Sequence, residues 1–190
     1  SSMSALQRVA ILGAESSGKS TLAEALGRRY GTPWVPEYLR EFVDTQGRVP
    51  YETDQYGIAC TQRAREDAAS LDANGFLFCD TTPLMTALYS RVYWGRVDAQ
   101  LERLAAPHDY ALTLVTAPDT PWIADGLMRE SEEMRQRVFA LLVEELDARA
   151  VRFVLVDGDL PHRLRQVEAA LREFKEIDSI ITTVGTWDGR

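Results

Sequence analysis

Two cysteines and two histidines are all that the 190 residues hold of either type. Cys60 and Cys79 have no paired spacing, which argues against a disulfide framework or a cysteine-built metal site and for reduced thiols in a cytoplasmic protein. His108 and His162 show neither metal-ligand nor catalytic spacing. No apolar run approaches the roughly 18 residues of a membrane span, so no insertion in a bilayer is expected. Ser1-Ser2-Met3-Ser4 lacks the basic and apolar regions of a secretory leader and reads as a start site behind a short foreign remnant. Positive charge is also scarce: the net charge is −8, which argues against a nucleic-acid partner, because a phosphate backbone requires clustered Lys and Arg. A small phosphorylated ligand remains open, since backbone N–H groups and a few placed cations can supply a local positive field.

What is present is ordinary for a globular chain, 45% hydrophobic and 26% charged, with no repeat, linker or low-complexity tract, so residues 1–190 read as one domain. Strands are expected at Arg8 to Leu12, near Pro33 to Pro36, at Phe76 to Cys79, Ala111 to Val115 and Val151 to Val156. Helices are expected from Lys19 to Tyr30, Tyr38 to Thr45 and Thr53 to Ala73. Further helices follow Thr82-Pro83, an N-cap with proline at the first helical position, then Ser131 and Asp159. The tail after Glu176 is ambiguous, with Ile180 to Val184 readable as an edge strand or as loose chain. Near-continuous apolar strands alternating with helices predict an α/β fold: a three-layer sandwich with a mainly five-stranded parallel sheet and helices on both faces.

The segment Gly13-Ala14-Glu15-Ser16-Ser17-Gly18-Lys19-Ser20 has the spacing G-x-x-x-x-G-K-[ST], between an apolar strand and an amphipathic helix. This is the P-loop arrangement. Gly13 lets the chain leave the strand sharply and Gly18 lets the backbone approach phosphate oxygens closely. N–H groups from Glu15 to Ser20 then converge on the anion at a helix N-terminus. Lys19 is placed to reach the β- and γ-phosphates of ATP or GTP, the Ser20 hydroxyl to ligate Mg²⁺, and Thr21 to touch the α-phosphate.

Phe76 to Cys79 carries Asp80 to the sheet edge where ligands bind in open α/β sheets. Asp80 there serves Mg²⁺ or the acceptor hydroxyl, or else caps the next helix. Glu37 and Arg40 follow the second strand one helical turn apart, as an acceptor-side pair with Glu37 a candidate base, or as a surface ion pair. Glu37 and Asp80 both stand as general-base candidates. Asp119 to Arg129 lies where nucleotide kinases carry a lid that brings an arginine to the transferring phosphoryl group. Arg129 is that cation or a solvated surface residue; Trp122 is a base-stacking platform or a core residue. Thr81, Thr82 and Pro83, with Tyr89, Arg91, Tyr93 and Trp94, could build an acceptor-nucleoside pocket beside Asp80. Asp157-Gly158-Asp159 sits where an adenine-binding loop often lies.

Taken together, "GAESSGKSTL", "PEYLREF", "CDTTPLMTALY" and "PWIADGLMRE", in that order over roughly residues 8 to 175, resemble the ribosylnicotinamide kinase domain of the NadR-type proteins. Trp122 to Arg129 is the most specific stretch, with Met128 as an extra residue before Arg129. The resemblance implies ATP- and Mg²⁺-dependent phosphorylation of the 5′-hydroxyl of nicotinamide riboside. It implies Lys19 and Ser20 serving ATP and Mg²⁺, Asp80 at the reacting centre, Arg129 as lid cation, and Glu37, Arg40, Trp122 and Asp125 on the nucleoside side. Adenylyltransferase and DNA-binding functions found beside such domains are not carried over. Other readings of the same residues are a kinase for another nucleoside or a nucleoside monophosphate, and a regulatory P-loop ATPase whose partner is a protein.

Overall fold

The computed structural model describes residues 5–122 and 130–186, with the side chains at 182 and 184–186 left aside. Five strands, β1 (Gln7–Leu12), β2 (Trp34–Val35), β3 (Phe76–Asp80), β4 (Leu112–Thr116) and β5 (Val154–Val156), form one sheet in the order β2-β3-β1-β4-β5. Every pairing is parallel, with Ile11 opposite Asp80 and Thr116 opposite Val156. The helices are α1 (Lys19–Tyr30), α2 (Tyr38–Gln46), α3 (Gln55–Ser70), α4 (Pro83–Trp94), α5 (Ala99–Ala105), α6 (Glu132–Ala148) and α7 (Leu160–Thr186).

Successive side chains of a strand point to opposite faces, and from Val9 to Leu12 both faces of β1 are fully buried. Val9 and Ile11 pack with Leu22 and Leu26 of α1 and with Val167 and Leu171 of α7. Ala10 and Leu12 pack on the other side with Leu84 and Leu88 of α4 and with Val138, Leu142 and Leu146 of α6. These two clusters make the three layers, and all five strands run toward one edge. The expected fold class, and five strands at the expected places, are therefore observed.

Three boundaries differ. Thr53 to Ala73 is not one helix: a 3-10 turn at Glu52–Asp54 leads into α3, which stops at Ser70. Strand β5 begins at Val154 rather than Val151, because the preceding residues terminate α6. Ala150 turns into the left-handed region at φ 55°, and the Val151 N–H donates to Leu146 O at 2.9 Å. The tail is neither strand nor loose chain but a continuation of α7 to Thr186. Once a helix is nucleated, each further residue adds a hydrogen bond at little entropic cost, and no proline interrupts the run after Pro161. Ile177, Ile180 and Ile181 lie exposed on it.

The two-sided core makes the first prediction. Leu26→Ala, at a position with no solvent exposure, lowers folding stability by about 2–4 kcal/mol. Leu71→Ala, at an exposed position, stays within about 0.5 kcal/mol. Urea denaturation of the two variants compares them.

Candidate functional site

The loop between β1 and α1 gathers its own carbonyls on one side. The Ala14 carbonyl accepts from Ser17 Oγ at 2.6 Å and from Lys19 Nζ at 3.0 Å. The Ser16 carbonyl accepts from Thr120 Oγ1 at 2.6 Å and Arg135 Nη1 at 3.0 Å. The Ser17 carbonyl accepts from Arg163 Nη1 at 2.5 Å. Both arginines are 3% exposed, a burial tolerated only because each guanidinium is spread over several acceptors. Arg163 also reaches Gly158 O, Ala117 O and Asp119 Oδ1.

Two glycines are required here. A Cβ on Gly13 would overlap Thr116 Oγ1 and stand 2.8 Å from Ser17 Oγ, where those two hydroxyls already share a 2.7 Å hydrogen bond. Gly18 is the left-handed N-cap of α1 at φ 87°, and a Cβ there would sit 3.0 Å from Arg163 Nη1. With their carbonyls taken up, Ser16, Ser17, Gly18, Lys19 and Ser20 line a cavity of about 490 Å³. The unpaired N–H groups of the first turn of α1 lie at the same place.

The cavity continues to the ends of β2 and β3, where it collects carboxylates. Asp80, 2% exposed, has its pKa pushed up to about 7, first by burial and then by the Glu37 charge, with Lys19 pulling the other way. The Thr81 hydroxyl joins the two acids, lying 2.6 Å from Glu37 Oε2 and 3.3 Å from Asp80 Oδ1. Thr81 does this at φ 74°, a conformation that strains a β-branched residue and marks functional sites when the surroundings enforce it. The buried amide of Gln62 fixes the two strand ends: Oε1 accepts from Tyr38 N at 2.7 Å, while Nε2 donates to Pro36 O at 3.1 Å and Asp80 O at 3.4 Å.

A second acidic pair joins the loop to the residue that precedes the Ser131 cap of α6. Glu15 Oε2 accepts from the backbone N of Glu130 at 3.0 Å, and Glu130 Oε1 accepts from Tyr93 OH at 3.2 Å. Burial and the Glu130 charge push the Glu15 pKa up to about 7. Burial raises Glu130 as well, against the pull of Tyr93 and Lys19. Tyr89, Tyr93 and Trp94 form the aromatic wall, and Leu39, Val49, Pro50 and Ile58 are apolar parts of the lining.

The structure thus brings Glu15, Ser16, Ser17, Gly18, Lys19, Ser20, Glu37, Arg40 and Asp80 around one cavity. Thr21 is exposed on the first turn of α1 and Trp122 is 39% exposed, both outside its lining. Asp125 and Arg129 lie outside the described residues. Arg91 faces away, bound to Glu145 at 2.9 Å. His108 is held neutral, its pKa lowered to about 4 chiefly by burial, and no group of three or more metal-type ligands occurs among the described residues. Sequence reasoning missed Arg135, Arg163, Gln62 and Glu130. Each lies in or near a helix whose periodicity says which face is inward, and none has a motif that announces a buried polar role.

The AAA domain family model matches residues 8–163. The chain is 32% identical over 159 residues to NadR of Escherichia coli (strain K12), named a trifunctional NAD biosynthesis/regulator protein, covering 81% of this chain and 39% of that one. Identity to the Salmonella typhimurium protein of the same name is 34% over 170 residues, 86% of this chain and 42% of that one. The chain is homologous to these proteins and spans about 40% of their length. A solved NadR in complex with NR superposes with a TM-score of 0.68 at 22% identity, over 97% of this chain and 51% of that one. A deoxyadenosine kinase from M. mycoides superposes at 0.63 with 14% identity, over 87% of this chain and 99% of that one. Both share the fold.

Burying Asp80 has a consequence for the ligand-free protein. Its folded pKa lies above the unfolded value of 3.8, so the folded state holds the proton more tightly, and stability falls as pH rises from about 4 through about 7. Asp80→Asn removes the ionisation, so the variant melts above the wild type by roughly 2–8 °C at pH 8. At pH 5 the gap shrinks to less than half of that, and it closes only below about pH 4, as thermal melts at the three pH values would record.

Proposed function

The chain belongs to the AAA domain family, and on that footing we propose that it transfers the γ-phosphoryl group of ATP to the 5′-hydroxyl of nicotinamide riboside, in the presence of Mg²⁺. One observation carries the reading: Glu37 and Asp80, joined by Thr81, stand in the same cavity as the phosphate loop and the aromatic side chains Tyr89, Tyr93 and Trp94. A donor phosphate on the loop and an acceptor hydroxyl at the acids would then be neighbours. The homologous NadR proteins of Escherichia coli and Salmonella typhimurium, and the solved NadR complexed with NR, support the choice of riboside.

In this mechanism the N–H groups of Ser16 to Ser20 hold the donor phosphates, and Lys19 leaves the Ala14 carbonyl for the β- and γ-phosphates. The Ser20 hydroxyl and the Asp80 carboxylate are hard oxygen donors of the kind Mg²⁺ takes, and Asp80 is a buried acid that a cation would keep ionised. When bound, Mg²⁺ supplies neutralisation of phosphate charge. Glu37 and Asp80 orient the 5′-hydroxyl, and one of the two takes up its proton. The 5′-oxygen forms the new bond to phosphorus as the bond to the β-phosphate oxygen breaks. Positioning and charge stabilisation contribute more than the base, because phosphoryl transfer moves the proton late.

Incubation with Mg-ATP and a panel of nicotinamide riboside, adenosine, cytidine and their monophosphates is expected to give the mononucleotide of nicotinamide as the preferred product. Absence of its formation at millimolar riboside overturns the substrate assignment. Lys19→Ala is expected to lower kcat/KM by about 10²-fold or more with the melting temperature retained. Full activity in that variant overturns the phosphate site.

A further inference from the structure

The pair formed by Glu15 and Glu130 takes no part in the mechanism above, yet it lines the same cavity. Glu130 is 5% exposed. Its Oε2, like Glu15 Oε1, is buried and has no hydrogen-bond partner among the described residues. A buried carboxylate oxygen without a donor is costly, and natural structures retain one where a ligand, a proton or a metal completes it. No metal-type cluster of three or more ligands stands there among the described residues. Lys19, the cation whose charge acts on both acids, sits on the phosphate loop with its ammonium group on the Ala14 carbonyl. It is the group that donor phosphates would draw away.

The surroundings indicate what completes the pair. Tyr93, which donates to Glu130, lies nearly parallel to Tyr89, with ring centroids 6.0 Å apart and 12° between planes, and Trp94 meets Tyr93 edge-on. The negative charges of Glu130, Glu37 and Glu15 all bear on Tyr89. Aromatic rings next to carboxylates are the environment that holds an organic cation whose charge is spread over a ring.

We propose that Glu15 and Glu130 read the charge of the acceptor's base, favouring a cationic pyridinium ring over a neutral one. The inference rests on the function proposed above for the identity of the acceptor, but the cation site itself can be tested without turnover. At pH 8, NMR titration of the wild-type protein with the 1-methylnicotinamide cation and with uncharged nicotinamide is expected to show the cation binding at least about 10-fold more tightly. Equal binding overturns the inference whether or not any riboside is phosphorylated. Tight cation binding without riboside phosphorylation overturns the proposed function and leaves the cation site standing.

Kinetics supply the second arm. Glu130→Gln is expected to lower the ratio of kcat/KM for nicotinamide riboside to that for its uncharged dihydro form by about 10-fold, mostly through KM. Glu15→Gln is expected to shift the ratio in the same direction and serves if Glu130→Gln does not fold. An equal loss on both ribosides, or no change in the ratio, overturns the assignment.

Discussion

Ser16 and Ser17 each turn a carbonyl toward the protein interior, and two buried guanidinium groups receive them. A tight loop has as many acceptors as donors, and only if the carbonyls are held back can the N–H groups form an anion cradle. Arg135 from α6 and Arg163 from α7 do this from opposite faces of the sheet, because α6 and α7 pack in different layers. The two guanidinium groups stand directly behind the loop, placing cations next to its backbone in a chain of net charge −8. Moving either helix moves the cradle, which ties the site to the core packing that positions those helices.

The same cavity collects negative charge at a cost to the ligand-free fold. Asp80 is buried beside Glu37, Glu15 beside Glu130, and both Asp80 and Glu15 hold their protons up to about pH 7. Thr81 stays in a strained conformation to bridge the first pair. Functional sites depart from stability-optimal design in this way, and ligands recover the difference on binding. Two guanidinium groups lie behind the loop, four carboxylates line the cavity, and the charge of Lys19 acts on Asp80, Glu15 and Glu130.

The fold was legible because its signals are local and redundant. Glycine followed by lysine opens α1, Thr82-Pro83 opens α4, Ser131 caps α6 by accepting from Met134 N at 3.1 Å, and both faces of β1 are apolar. Where several residues compete for one role, the sequence was a poorer guide. Val151 has the character of a strand residue but is used to end α6, and Ile180 and Ile181 look like a strand but extend a helix. Lys19, Glu37 and Asp80 were expected at one place, and line one cavity, because each follows a strand at a position with a known geometric outcome. Gln62, Arg135 and Arg163 were not, because a buried polar residue on a helix is recognisable only once its acceptors, which are distant in sequence, are placed beside it. Glu130 escaped notice because its role depends on Glu15, 115 residues away.

Helix α7 extends over 27 residues, about 40 Å at 1.5 Å per residue. Its first turn grips Ser17 through Arg163, its middle is anchored by Val167 and Leu171, and its far end shows Ile177, Ile180 and Ile181 to solvent. One helix therefore supplies both a core stripe, Val167 and Leu171, and the guanidinium that holds the Ser17 carbonyl, so a substitution that loosens its packing also loosens that hold.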